Sequence, residues 1–328
     1  MDRHTSRIGI ILTVLAASLA IGVTACSLAA PSEQAAFDTA TTSIDASTTI
    51  PAPTTTTTTA APTTSTTTAA PTTTSTVSDP DTTVHIAALG DTGTGSPEQY
   101  AVASLIDAAE EEHEYDALVL LGDMIYEVGD PALIDSVIRQ PYAPVLDGPT
   151  RLVPALGNHD VKLGRGDEIM EELGAPGRWY AVDIGPARII VLDSNRPESA
   201  TQLAWLEQAL AEAQDRWLIV ALHHPPYSAG RHGSDLPTRS AFGALFARNG
   251  VDLVLAGHDH DYQRSVPDDG ITYVVSGGGA KLRPTGTDEF TIVSASELHF
   301  LDITINAASI DVVAIGITGV LDTFTLTR

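Results

Sequence analysis

Five short blocks of the chain carry side chains able to hold metal ions. They are Gly90-Asp91, Gly122-Asp123-Met124-Ile125-Tyr126, Gly157-Asn158-His159-Asp160, His223-His224 and Gly257-His258-Asp259-His260. Six of the ten histidines, His159, His223, His224, His232, His258 and His260, sit in or beside these blocks. Hard oxygen donors (Asp91, Asp123, Asn158, Tyr126) are mixed with imidazoles, a set that suits Fe, Zn or Mn better than Ca or Mg. No cysteine lies among them, which removes iron–sulfur clusters and thiolate zinc from consideration. Two metals about 3.5–4 Å apart need a ligand in common, and a carboxylate is the natural bridge. One Gly-Asp is an ordinary turn. Five such blocks, each closing a strand-like run, have a different weight.

The elements that must position these blocks are legible around them. Ala117–Leu121 is apolar on both faces, as expected of a strand in the middle of a covered sheet, and it ends abruptly at Gly122-Asp123. The C-terminal end of such a strand is where open α/β sheets bind ligands. The pattern predicts further strands at Val84–Leu89, Arg151–Leu156, Ala187–Leu192, Trp217–Leu222 and Val251–Leu255. It predicts helices over Pro97–His113 (with Ser96 as the cap), Pro131–Gln140, Glu198–Asp215 and Thr238–Arg248. Leu203, Leu206 and Leu210 mark the core face of the third, and Trp205 is read as helix core too. After Gly270 the chain turns to β, with runs at Ile271–Ser276, Phe290–Val293, His299–Ile305, Ile310–Ile315 and Val320–Leu326. Strand–helix alternation followed by strands implies an α/β fold of two packed sheets with helices outside. His85, His113 and His299 are read as ordinary surface or core residues. His224 stays open between a polar strand-end residue and a functional one.

Asp and Glu outnumber Lys and Arg 42 to 17, a net charge of −25, which argues against nucleic acid as the partner. It leaves small phosphorylated substrates open, because these answer to the local field of a metal site. Residues 1–25 read as a targeting leader: Arg3 and Arg7, then an uncharged apolar run from Ile8 to Ala25. The run is also just long enough to span a bilayer as a retained helix. Val23-Thr24-Ala25-Cys26 resembles the lipobox of bacterial lipoproteins, in which the Cys becomes the lipidated first residue. Cys26 has no possible disulfide partner within the chain. Residues 26–82 then form a linker rich in Thr, Pro, Ala and Ser, with nothing to bury and a composition common in O-glycosylated stalks. As a flexible coil it would reach roughly 40 Å. The folded domain is expected over residues 83–328, extracytoplasmic and lipid-anchored to a bacterial cell membrane.

Taken in order, Gly90-Asp91-Thr92-Gly93, Gly122-Asp123-Met124-Ile125-Tyr126, Gly157-Asn158-His159-Asp160, Val220-Ala221-Leu222-His223 and Gly257-His258-Asp259-His260 resemble the five-block signature of the purple acid phosphatases. These belong to the calcineurin-like metallophosphoesterases, and the small tartrate-resistant type is the nearer match. The likeness extends to Val191-Leu192-Asp193, Gln202-Leu203-Ala204-Trp205-Leu206 and Tyr273-Val274-Val275-Ser276-Gly277. It implies a four-layer α/β/β/α sandwich of two mixed sheets with the metal site at strand C-terminal ends. It implies Asp91, Tyr126 and His260 on a first metal, Asn158, His223 and His258 on a second, and Asp123 between them. Most of the wider superfamily has a His where this chain has Gly93, and Tyr126 takes its place. A phenolate there favours Fe(III), while the second ion is left open among Fe(II), Zn and Mn. His159 is implied to hydrogen-bond phosphate and His232 to serve the leaving group; Asp160 is read as orienting a ligand rather than binding metal. The expected activity is hydrolysis of small phosphate monoesters by a monomeric domain, through hydroxide formed on the metals. The alternatives are a phosphodiesterase of the same superfamily and a non-catalytic surface-binding module. The module predicts broken ligands, yet all seven positions are filled. Selectivity between mono- and diesters would lie in loops such as Ser228–Leu236 and Asp160–Gly177.

The leader reading has a direct test. Cys26→Ala is expected to leave an unlipidated precursor that escapes normal processing, read by mass spectrometry of the mature N-terminus. A lipid-free mature protein starting well after residue 26 would exclude the anchor.

Overall fold

The computed structural model describes residues 82–213, 215–267 and 270–328. The leader, and all of the linker but Thr82, lie outside the described residues. Two sheets form the centre. The first holds β1 (Val84–Leu89), β2 (Ala117–Leu121), β3 (Arg151–Ala155), β11 (His299–Ile305), β12 (Ser309–Gly316) and β13 (Gly319–Thr327), in the order β13-β12-β11-β1-β2-β3. The second holds β4 (Tyr180–Ile184), β5 (Ala187–Val191), β6 (Trp217–Ala221), β7 (Leu253–Ala256), β8 (Tyr262–Ser265), β9 (Thr272–Ser276) and β10 (Thr291–Ala295), in the order β10-β8-β9-β7-β6-β5-β4. Both sheets are mixed. β1, β2 and β3 run parallel, as do β5, β6, β7 and β9.

Alternation along the strands shows why both faces had to be apolar. Ile189, Ile219, Leu253 and Val274 point into the core between the sheets. Their neighbours Ile190, Val220, Val254 and Tyr273 point into a second core. Helix α4 (Ala200–Ala211) closes that second core with Leu206 and Leu210, and α5 (Leu236–Asn249) with Phe242 and Phe246. On the first sheet, α1 (Pro97–Glu110) buries Val102 and Ile106. Leu203 and Trp205 are only partly buried against the α4 side. The result is two sheets packed together with helices on their outer faces, the arrangement that the strand–helix pattern implies.

Several boundaries differ from expectation for local reasons. α1 stops at Glu110, and His113 lies in a turn with its ring 3.2 Å from Asp302. Ser96 sits at the start of α1 but makes no capping bond; its hydroxyl accepts from Thr94 at 2.9 Å. α4 begins after Ser199, whose hydroxyl accepts from the Gln202 amide, and ends at Ala211. α5 starts two residues early because Asp235 accepts from the Thr238 amide at 2.7 Å, and Gly250 ends it in a left-handed conformation. The segment 131–140 is a short 3₁₀ turn (Pro131–Leu133) followed by a wide turn closed by Gln140 N–H to the Asp135 carbonyl at 2.9 Å. Two small helices, α2 (Ala143–Leu146) and α3 (Gly166–Glu172), fall in stretches without a clear period.

β4 and β8 escape a hydrophobic pattern because polar side chains interrupt them. In β4, Asp183 faces Arg188 of β5, and the two make a buried bidentate pair at 2.7 and 2.9 Å. In β8, Gln263 is buried and its amide group is used up by Ser228, Ala229 and Asp261. His299 is a buried core residue held by the Ser276 hydroxyl and the Glu297 carbonyl, and burial pushes its pKa down to about 4.

Candidate metal centre

The five blocks follow the C-terminal ends of β1, β2, β3, β6 and β7. Backbone hydrogen bonds knit these ends together within each sheet and from one sheet to the other. Gly90 N–H donates to the Ser276 carbonyl at 2.7 Å, Asp91 N–H to Gly122 at 3.0 Å and Gly257 N–H to His223 at 3.0 Å. Asp91, Asp123 and His258 all have left-handed backbones, with φ of 59°, 51° and 73°. They are the described non-glycine residues with positive φ, and such a residue stores about 1–3 kcal/mol of strain. Strain gathered on three donors of one site points to function rather than to packing.

The side chains fall into two groups. In the first, the Tyr126 hydroxyl donates to Asp91 Oδ1 at 2.9 Å, and His260 Nε2 lies 3.2 Å from that hydroxyl and 3.3 Å from Asp91 Oδ1. In the second, His223 Nε2 lies 3.1 Å from Asn158 Oδ1 and 3.2 Å from His258 Nδ1. Asp123 stands between the groups. Its Oδ1 is 3.5 Å from His223 Nε2, and donor atoms of Asp91, Asp123 and His223 all lie within 4.8 Å of one another. His224 joins His223 and His258 in a further set of donors of the same closeness. Its Nδ1 is 2.9 Å from the Ser194 hydroxyl, so one of its ring nitrogens is already engaged.

The electrostatics of this donor set ask for a cation. Burial, then the charge of Asp123, pushes Asp91 well above the usual carboxylate range. Burial drives His223 far down, His258 down to about 2 and His260 down to about 4. Tyr126 is raised by burial and by the two neighbouring carboxylates. A buried acid pushed up beside imidazoles pushed down is a donor set that a bound cation would stabilise. Tautomers agree for one ligand candidate: His223 Nδ1–H donates to the Leu121 carbonyl at 2.9 Å, leaving Nε2 with a lone pair facing the group.

Backbone positioning depends on close approach. A Cβ on Gly157 would lie 2.1 Å from the Asp123 amide nitrogen. A Cβ on Gly93 would lie 1.8 Å from the Met124 carbonyl oxygen. Gly93 N–H donates to Asp123 and its carbonyl accepts from Tyr126 N–H at 2.9 Å. Gly93 is therefore more than a missing ligand, since its lack of a side chain lets the Tyr126 turn reach the site. Asp160 acts on the same turn. It is buried and accepts from the amides of Ile125 (2.9 Å), Met124 (3.3 Å) and Gly157 (2.8 Å). It braces the backbones of the two blocks that carry Asp123, Tyr126 and Asn158.

His159 donates its amide to Asp123 Oδ1 at 2.8 Å, while its ring lies against Tyr126 and reaches the Glu127 carbonyl at 2.7 Å. His232 is exposed, with its ring 4.4 Å from that of His258. Its amide donates to Asp259 Oδ1 at 2.8 Å, and Ser228 donates to the other oxygen of Asp259, so that carboxylate pins the loop. A cavity of about 130 Å³ opens onto Asp123, Asn158, His159, His232 and His258.

Four contributors were not foreseen. Ser194 accepts from the His223 and His224 amides. Asn195 donates to the carbonyls of Leu156 and Gly157. Lys281 sits 3.4 Å from the centre of the Tyr126 ring, and Arg283 Nε donates to His260 Nδ1 at 3.3 Å. The signal for the last two was available, as cations are scarce in this chain and these follow Gly277-Gly278-Gly279.

Gly93→Ala tests the close approach. The added methyl should destabilise the fold by about 1–3 kcal/mol. That corresponds to roughly 2–4 °C of melting temperature for each kcal/mol in a domain of this size. Amide exchange at Tyr126 should quicken. A variant with wild-type melting and wild-type protection would show that the gap opens freely.

Comparison with known proteins agrees with this geometry. The family model for calcineurin-like phosphoesterases matches residues 84–262. Human tartrate-resistant acid phosphatase type 5 is 29% identical over 205 residues, covering 52% of this chain and 63% of the human protein. Purple acid phosphatase 4 of Arabidopsis thaliana is 28% identical over 237 residues, covering 60% of this chain and 68% of the plant protein. The chain thus spans under two thirds of the human relative's length. The structure of the yellow lupin purple acid phosphatase PPD1 superposes with a TM-score of 0.65 at 20% identity, covering 75% of this chain and 54% of that one, a likeness of fold. With the family model covering more than half of its length, and with strand-end blocks that converge on one buried donor set, the chain belongs to the calcineurin-like phosphoesterase family.

Proposed function

We propose that the protein is a metal-dependent acid phosphatase that hydrolyses small phosphate monoesters. The observation that carries this reading is the pair of donor groups with Asp123 between them at the ends of parallel strands. Asp91, Tyr126 and His260 would hold the first ion, and Asn158, His223 and His258 the second, with Asp123 shared. The phenolate of Tyr126 is a hard anionic donor that favours Fe(III) at the first position, with Fe(II), Zn or Mn at the second. When bound, such a pair of ions supplies positive charge for phosphate oxygens and activates water.

The chain's own groups do the rest. The cavity beside Asp123 is lined by His159, His232, Lys281 and Arg283, all able to donate hydrogen bonds to an anion. His232 is held at the rim by its amide bond to Asp259, where its ring can give a proton to a departing alkoxide. His159 is assigned to the phosphate oxygens. Lys281 lies over the Tyr126 ring and favours negative charge on it. Among the described residues no helix is long and apolar enough to cross a membrane. The extracytoplasmic, lipid-anchored location is proposed from Cys26 and the leader alone.

Metal analysis of the purified protein, together with a panel of mono- and diesters, tests the reading. Two ions per chain and hydrolysis of monoesters are expected. A preference for diesters would move the protein to the phosphodiesterases, and no turnover by the metal-loaded protein would make it a binding module.

Tyr126→Phe keeps the ring under Lys281 and removes only the donor oxygen. The oxidised, iron-loaded wild type should absorb in the visible through phenolate-to-iron charge transfer. The variant should lose that band and bind ferric iron more weakly, with an unchanged circular dichroism spectrum. A variant that keeps the band, or an iron-loaded wild type without one, would take the protein out of the purple branch.

His232→Ala should retain both metals and lose turnover by about 10²-fold or more on alkyl phosphates, whose alkoxides need a proton. Nitrophenyl phosphate, with a good leaving group, should suffer less. Equal losses on both would transfer His232 to phosphate binding.

A further inference from the structure

Beside the site lies a second cavity of about 540 Å³, which shares His260, Lys281 and Arg283 with the first. Its lining runs against the composition of the chain. Acids outnumber bases 42 to 17 overall, yet here Arg231, Lys281 and Arg283 meet one acid, Glu98. Ala280 and Leu298, both buried, give this cavity an apolar floor next to the cations.

Two of the three cations have charge to spare. Arg231 is exposed and has no ion pair or hydrogen bond among the described residues. The side chain of Arg283 donates to His260 Nδ1 and pairs with no carboxylate among the described residues. Arg283 also lines this cavity beside Lys281. Lys281 is more committed, lying over Tyr126 and 3.1 Å from Glu127.

We propose that Arg231, with Arg283 and Lys281, takes a second phosphoryl group of the substrate, so that the preferred class is phosphate esters carrying two phosphoryl groups. This rests on the phosphatase reading above and names its substrate class. The first phosphoryl group lies in the small cavity at Asp123. The connecting part of the substrate lies over Ala280 and Leu298, and the second phosphoryl group meets Arg231.

The test compares metal-loaded wild type with Arg231→Ala and Arg231→Lys on propane-1,3-diol bisphosphate and phenyl phosphate. The ratio of kcat/KM for the bisphosphate over phenyl phosphate should fall about tenfold in the Ala variant, mostly through KM, and return in part with Lys. Added salt should shrink the wild-type ratio. A binding readout runs beside it: calorimetry of the non-hydrolysable propane-1,3-bisphosphonate and of propylphosphonate, in which Arg231→Ala should weaken the bisphosphonate by the larger factor. Equal losses for both substrates and both phosphonates, or no loss for either, would overturn the subsite. So would a wild type that binds the bisphosphonate no tighter than propylphosphonate. Monoesterase activity without any Arg231 discrimination would sink the subsite alone. Arg231-dependent bisphosphonate binding in a protein that hydrolyses no ester would sink the phosphatase reading and keep the subsite.

Discussion

Asp123 is a carboxylate with 2% exposure, held in a left-handed turn at the end of β2, and the rest of the site is arranged around its charge. A buried carboxylate without compensation is expensive, so it must be hydrogen-bonded, paired or bound to a metal. The His159 amide provides one bond, and His223 lies 3.5 Å away. Neither brings a full positive charge, because burial keeps the imidazoles neutral. At the neighbouring position, burial and the charge of Asp123 push Asp91 well above the usual carboxylate range. Two acids close together in the dry end of a sheet sandwich make sense as half of an ion site.

Holding them there needs a rigid frame. Each sheet presents apolar side chains to the core between the sheets, and the second sheet also fills the core beneath α4 and α5. Strands buried on both faces cannot shift register without moving a whole row of side chains. Their ends are therefore fixed points, and the loops leaving them can be strained. Buried acids next to the site complete the frame. Asp160 ties the Tyr126 turn to the Asn158 turn, and Asp259 ties the His232 loop to the His258 block. These carboxylates accept backbone N–H groups, so their worth lies in geometry rather than in charge transfer to a ligand.

The cations around the mouth have a distinct role. In a chain with a net charge of −25, the long-range field repels anions. Lys281, Arg283 and Arg231 gather positive charge beside the site. Screening confines their influence to about 8–10 Å at ordinary ionic strength, which is the scale of a small phosphorylated molecule. Overall acidity and a locally basic mouth are thus compatible.

Much of this could be read from the residues alone. The apolar runs at Ala117–Leu121 and Trp217–Ala221, the Gly-Asp, Gly-Asn-His and Gly-His-Asp-His endings, and the order of the blocks point to a covered sheet with donors at its strand ends. That much is local, because a strand buried on both faces writes its burial into every residue. The strands β4 and β8 were not legible, since Asp183 and Gln263 are polar and only their partners across the sheet or from a neighbouring loop make them buried. Gly93 in the sequence is only an absent His. The fold makes it a gap through which the Tyr126 turn passes, because the backbone that fills the gap comes from another strand end. What Asp160 holds was likewise decided by the fold, as its three donors belong to two separate loops. Arg231, Lys281 and Arg283 share no motif with the ligand blocks, and it is the packing of the loop after β6 against the glycine-rich turn after β9 that brings their charges to one cavity. Residue type and order determined the chemistry of the site, while the distances between its groups and their protonation were decided only when the strands of the described residues brought remote segments together.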